Sequence, residues 1–189
     1  MGSIFALLLL VAGMIGWLIT GPAPMEKCGT TQVEVSPEAA ARLDDKIEAL
    51  RQEIDGAAAG KVVILTITEE EATSKLDQLS KEGELPVKMP YIQIHFTDSS
   101  IYGCALVDLL IDMQVAIQAK IGVEDGKPDI TMESLHLGRL PIPKTLVDNV
   151  MTALEREIEY RWEALPIEFD QISIENGEMI IIGRLKQSS

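Results

Sequence analysis

The first charged residue of this chain is Glu26, and residues 4–20 before it (IFALLLLVAGMIGWLIT) are almost wholly apolar. As a helix, residues 3–21 span roughly 28 Å, close to the hydrocarbon thickness of a bilayer. A stretch so long and so apolar is a poor fit to water, so residues 1–21 are expected to form a transmembrane anchor. A cleaved signal peptide would carry a basic n-region and an A-x-A-like site. Here the first basic side chain is Lys27, and the best cleavage candidate, Gly21-Pro22-Ala23, runs into Pro24. Cys28 follows Met25-Glu26-Lys27, which does not fit a lipoprotein signal, and Ala6 stands where myristoylation at Gly2 would want Ser or Thr. Ala12 and Gly16 form a small-xxx-small pair able to seat another helix.

The formal charge of −14 falls entirely after the anchor. That portion, about 165 residues, is long enough for one domain that buries roughly 70% of its unfolded surface. Strong acidity argues against a nucleic-acid partner, whose phosphates demand a basic patch, and against a polybasic grip on anionic lipid. Two cysteines, Cys28 in the juxtamembrane stretch and Cys104 in a strand-like one, make neither a disulfide framework nor a zinc pattern. Two separate thiols are expected, since a bond between them would close a long loop.

Residues 22–60 read as a linker and an amphipathic helix. Residues 21–31 (GPAPMEKCGTT) are broken by Pro and Gly, and Ser36-Pro37 then supplies an N-cap and a first helical residue. Ala40, Leu43, Ile47, Leu50, Ile54 and Ala57 follow at spacings of three and four, an a/d seam. The seam can lie on its own domain, or Leu43, Ile47, Leu50 and Ile54 can meet a membrane-protein partner. In a parallel homodimer Lys46 would face Arg51 of the twin helix, which is repulsive, so that arrangement is not expected.

Residues 61–189 read as an α+β extracytoplasmic domain. Residues 61–67 (KVVILTI) are strand-like, and Thr68-x-x-Glu71 is a capping box opening a short helix with Ala72, Leu76 and Leu79 on one face and Gly83 at its end. The triplet Glu69-Glu70-Glu71 therefore reads as structural at a helix N-terminus rather than as a metal site. From Tyr91 the period becomes two, with Ile92, Ile94 and Phe96 alternating against outward Gln93, His95 and Thr97. Met113, Val115, Ile117, Ala119, Ile121 and Val123 continue the alternation, and after Glu124-Asp125-Gly126 residues 130–137 return as another strand. Leu140-Pro141-Ile142-Pro143 breaks the sheet. A helix from Lys144 follows, with Leu146, Val150, Leu154, Ile158 and Trp162 on one face, then a hairpin across Asn176-Gly177. A largely antiparallel curved sheet packed on that long helix is the expected architecture.

Chemistry is marked by absent signatures: no phosphate-binding Gly loop, no G-x-S-x-G and no H-E-x-x-H. His95 and His136 have no nucleophile or orienting carboxylate beside them in sequence, and no enzyme activity, catalytic residue, metal or cofactor is expected. A groove between sheet and helix would hold an apolar ligand. Its candidate lining is Val115, Ile117 and Ile121 from the sheet and Val150, Leu154 and Ile158 from the helix.

The order of a strand into a capped helix (LTITEEEATSKL), an alternating meander, LHLGRLPIPKTLVDNVM and a terminal MIIIGRL resembles the YpmS-like family of bacterial membrane-anchored extracytoplasmic proteins. More remotely it is similar to LmeA-like proteins with a tubular lipid-binding (TULIP-like) fold. The resemblance covers residues 61–184, with L-G-x-L-P-x-P as its distinctive motif and the acidic triplet where relatives often carry an Asn. It implies a single-pass protein of the bacterial cytoplasmic membrane, its C-terminal domain on the extracytoplasmic side in a TULIP-like half-barrel that binds lipid, with no catalytic residues. The other reading is an accessory subunit of a larger membrane complex.

Overall fold

The computed structural model describes residues 31–55, 57–85, 88–97, 99–108, 112–143 and 166–186. The expected anchor at 1–21 and the helix expected from Lys144 lie outside the described residues. Among the described residues no helix is long and apolar enough to cross a membrane.

Among the described residues two helices and eight strands follow one another. Helix α1 (Pro37–Asp55) is succeeded by strand β1 (Val62–Thr68) and helix α2 (Glu69–Glu82). The meander is β2 (Lys88–Thr97), β3 (Ser100–Asp108), β4 (Asp112–Glu124), β5 (Lys127–Leu137) and the two-residue β6 (Leu140–Pro141). The closing hairpin is β7 (Ile167–Glu175) and β8 (Glu178–Leu185). The class is α+β and every pairing is antiparallel.

Local chemistry sets the ends of these elements. Ser36 Oγ accepts the N–H of Ala39 at 3.1 Å and caps α1. Thr68 and Glu71 form the reciprocal capping box of α2, and Gly83 ends it in the left-handed conformation at φ 76°. Asp125-Gly126 and Asn176-Gly177 all have positive φ, between 51° and 79°, the geometry of two-residue hairpin turns that match strand twist.

The strands do not form one curved sheet. They divide into a three-stranded sheet in the order β1-β8-β7 and a five-stranded sheet in the order β2-β3-β4-β5-β6. The first strand of the domain is thus hydrogen-bonded to the last. The sheets meet where β7 lies against β4 and β5, and the Phe169 N–H bonds to the Gly126 carbonyl at 3.0 Å. A Cβ at Gly126 would fall 2.9 Å from Glu168 Cγ, so this turn sits tightly against β7.

Two bulges keep apolar faces pointing inward. In β5 the pairing shifts after Gln118, so that Met132 faces Ala119 while Leu135 faces Ile117. The extra residue is Glu133, which turns out to Lys120 and Gln118. In β7 the shift falls between Phe169 and Gln171, and the extra Asp170 chelates Arg184. Ile167 and Phe169 before it, and Ile172 and Ile174 after it, are all buried. Without the bulge the second pair would point to the opposite face. Leu140-Pro141 does not end the sheet outright: it pairs with His136 and Leu137 as a short edge strand.

Helix α2 lies along the edge of β2 and supplies the hydrogen bonds a neighbouring strand would. Glu69 Oε1 accepts the Phe96 N–H at 2.6 Å. Thr73 Oγ1 accepts the Ile94 N–H at 3.0 Å and bonds to its carbonyl at 3.4 Å. Ser80 Oγ does the same for Met89, at 3.0 and 2.8 Å. The buried face of α2 is accordingly polar, with Glu71, Thr73, Ser74 and Ser80, while Ala72, Leu76 and Leu79 are half-buried. Both faces of β2 are covered from Ile92 to Phe96. Gln93 is 1% exposed, its amide clamping the N–H and carbonyl of Val33, and His95 is 6% exposed rather than outward.

Candidate functional site

Seam residues Ala40 and Leu43 are buried in the first half of α1, which packs against α2. Polar contacts fix that junction. Ser36 donates its N–H to Ser74 Oγ at 3.1 Å, Lys75 Nζ reaches Asp44 at 2.7 Å, and Arg42 reaches Glu70 at 3.0 Å. Lys46 Nζ lies 2.7 Å from Glu71 Oε2 and 2.9 Å from the Thr66 carbonyl. The acidic triplet is thereby spent on structure: Glu69 on the edge of β2, Glu70 on α1, Glu71 on the capping box and Lys46. Burial pushes the Glu71 carboxyl up, but the Lys46 and Thr68 hydrogen bonds and the charges of Lys46 and Arg42 outweigh it and hold it below its ordinary value.

Beyond Lys46 the seam continues over space that the described residues do not fill. Ile47, Leu50 and Ile54 are half-buried and roof a cavity of about 370 Å³. Leu65 and Ile67 of β1, with Met179 and Ile181 of β8, form its floor. Phe169 and Ile172 of β7 close it toward the second sheet, together with Ile121 of β4. The cavity adjoins the buried core of Val63, Ile167, Phe169, Ile172 and Leu185. Arg51 at the rim is the one charged residue among the described lining; its side chain is mostly exposed, with Glu48 as far away as 3.9 Å.

Of the six residues expected to bind a ligand, Ile121 lines this cavity. Val115 and Ile117 sit half-buried further along β4, opposite Leu137 and Leu135, and do not line it. Val150, Leu154 and Ile158 lie outside the described residues. The origin of this cavity is topological. Pairing β1 with β8 creates a second apolar sheet face, and α1 roofs that face. The sequence signal for it is the α1 seam itself, whose apolar stripe fits either its own domain or a partner, and here lies on its own domain. Leu43 is enclosed by its own domain and reaches no other protein unless α1 leaves α2.

Among the described residues, His95 Nδ1 lies 3.7 Å from Glu69 Oε2, beyond hydrogen-bond range, and its Nε2 is buried without a partner, as is Nδ1 of His136. Cys104 is not a separate thiol but disulfide-bonded; the chain's other cysteine, Cys28, lies outside the described residues. No protein-family model, curated protein or solved structure matches this chain.

Proposed function

We propose that this protein is a non-enzymatic binding module, anchored in the bacterial cytoplasmic membrane by its N-terminus, that holds the acyl chain of a lipid on the extracytoplasmic side. The observation that carries the reading is the apolar cavity beneath α1 that the described residues leave open. Its half-buried roof residues Ile47, Leu50 and Ile54 gain dispersion contacts when an apolar ligand lies against them. Its volume of about 370 Å³ is at the lower end for ligand pockets, which fits one chain better than two. The disulfide at Cys104 supports the compartment, because disulfides persist where the surroundings are oxidising. The 1–21 anchor and the TULIP-like half-barrel completed by a helix from Lys144 belong to the same proposal.

Titration of the full chain with a fluorescent fatty acid tests it. Saturable binding at one site per chain is expected, displaced by unlabelled lipid. Leu65→Trp, which fills the cavity without adding charge, should abolish that binding while leaving the circular dichroism unchanged. Undiminished binding to a folded Leu65→Trp would place the ligand elsewhere or nowhere.

A further inference from the structure

An open sheet edge offers unpaired N–H and C=O groups to any chain that can pair with them, and proteins usually guard it. This fold guards the edge of β2 along α2, through Glu69, Thr73 and Ser80. It guards β1 only in part. The Leu185 N–H bonds to the Lys61 carbonyl and the Glu69 N–H to the Gly177 carbonyl, so the odd-numbered residues of β1 face β8. The even-numbered ones present their backbone groups to the open side. There the Thr66 carbonyl is taken by Lys46 and the Thr68 N–H by Glu71. Among the described residues nothing bonds Val62 or Ile64 from that side. Their side chains, 51% and 61% exposed, are the most exposed large apolar ones described. Ile182 lies beside Ile64 in register and extends the apolar surface onto β8. The strand VVILTIT has no charge and no proline, so it carries none of the usual edge guards.

We propose that this stretch pairs with the same stretch of a second copy, antiparallel about a two-fold axis. The two three-stranded sheets then become one continuous sheet across the pair. A strand fits better than a lipid surface, since lipid would cover the side chains and leave the backbone groups unsatisfied. A second copy fits because one isologous pairing covers both open edges at once. It also fits electrostatically. With −14 on each chain, copies repel wherever carboxylates face each other, and β1 is a seven-residue stretch without any. This surface is independent of the cavity and of what fills it.

The test is the association state of the full chain in detergent micelles, by sedimentation across a concentration series at low and high salt, with amide hydrogen exchange on the same samples. The dimer fraction should rise with concentration and with salt, because screening weakens the repulsion between acidic chains. Exchange at the Val62 and Ile64 amides should slow as dimer forms, which separates edge pairing from association through the N-terminal segment. Ile64→Lys and Val62→Lys should each weaken dimerisation at least tenfold with circular dichroism unchanged, whereas Leu140→Lys, at another exposed apolar site, should leave it intact. A chain monomeric at every concentration and salt level would overturn the proposal. So would a dimer whose Val62 and Ile64 amides exchange as fast as in the monomer, or one indifferent to Ile64→Lys in a folded protein.

Discussion

Lys46 Nζ stands 2.7 Å from Oε2 of Glu71, joining the middle of α1 to the capping box that starts α2. The carboxylate is almost wholly enclosed and also accepts the Thr68 N–H at 3.1 Å. One side chain therefore fixes a helix start, the end of β1 and the position of the cavity roof.

Glu71→Gln should destabilise the fold by about 1.5–3 kcal/mol, the range for losing a hydrogen bond to a charged group. The effect has a pH signature. Because the folded carboxyl lies below its ordinary value, its contribution is complete above about pH 4.3 and is lost as the pH falls through the lowered value. Urea midpoints measured across the acid range should fall with pH more shallowly in Glu71→Gln than in the parent. Parallel acid limbs would mean that Glu71 is not ionised in this pair.

Thr73→Val keeps the shape of a fully buried side chain and removes the hydroxyl that serves both backbone groups of Ile94. Leaving those groups unpaired should cost about 1–3 kcal/mol. Thr73→Ser, which retains the oxygen, should recover most of the loss in chemical denaturation. Equal losses for the two variants would assign the effect to packing alone.

At Gly183 an added Cβ would lie 2.6 Å from Ile167 Cγ2 and 2.9 Å from the Glu168 carbonyl oxygen. The second neighbour is backbone and cannot rotate away. Gly183→Ala should therefore cost about 1–3 kcal/mol by overpacking and disturb the β7 bulge. Thermal unfolding measures the cost, and weakened cavity binding should accompany it. An unchanged midpoint would show that the bulge yields freely.

Thiol titration of the unreduced, denatured chain should find no free thiol, and titration after reduction should find two, since Cys104 is disulfide-bonded and the chain has two cysteines. Cys104→Ser should lower stability and leave one thiol exposed. A free thiol in the unreduced parent would contradict the bond.

What the sequence revealed was whatever local chemistry decides. Ser36, the Thr68–Glu71 box, Gly83 and the two hairpin turns act over a few residues, and each is where its spacing predicts. The bulges were legible as well, had the phase been followed: Ile130 and Met132 give way to Leu135 and Leu137, and Ile167 and Phe169 to Ile172 and Ile174. The cavity was not legible, because it depends on β1 choosing β8, and seven β-branched and aliphatic residues do not name a distant partner. His95 and Gln93 misled for the opposite reason. Polar residues on alternate positions read as a wet face, yet that face is covered, with Gln93 bonded to Val33 and His95 held near Glu69.

The pairing of β1 with β8 also governs when the molecule can become itself. Strand β1 leads the described α+β segment and β8 closes it, so the sheet beneath α1 cannot assemble until residues 178–185 have been made. Until then an uncharged, β-forming segment is without its neighbour, while the β2–β5 meander needs only adjacent hairpins and can form early. Such an order makes β1 the period of greatest risk in this protein's life. A chain cut off before residue 178 would keep its meander and lose the floor of its cavity.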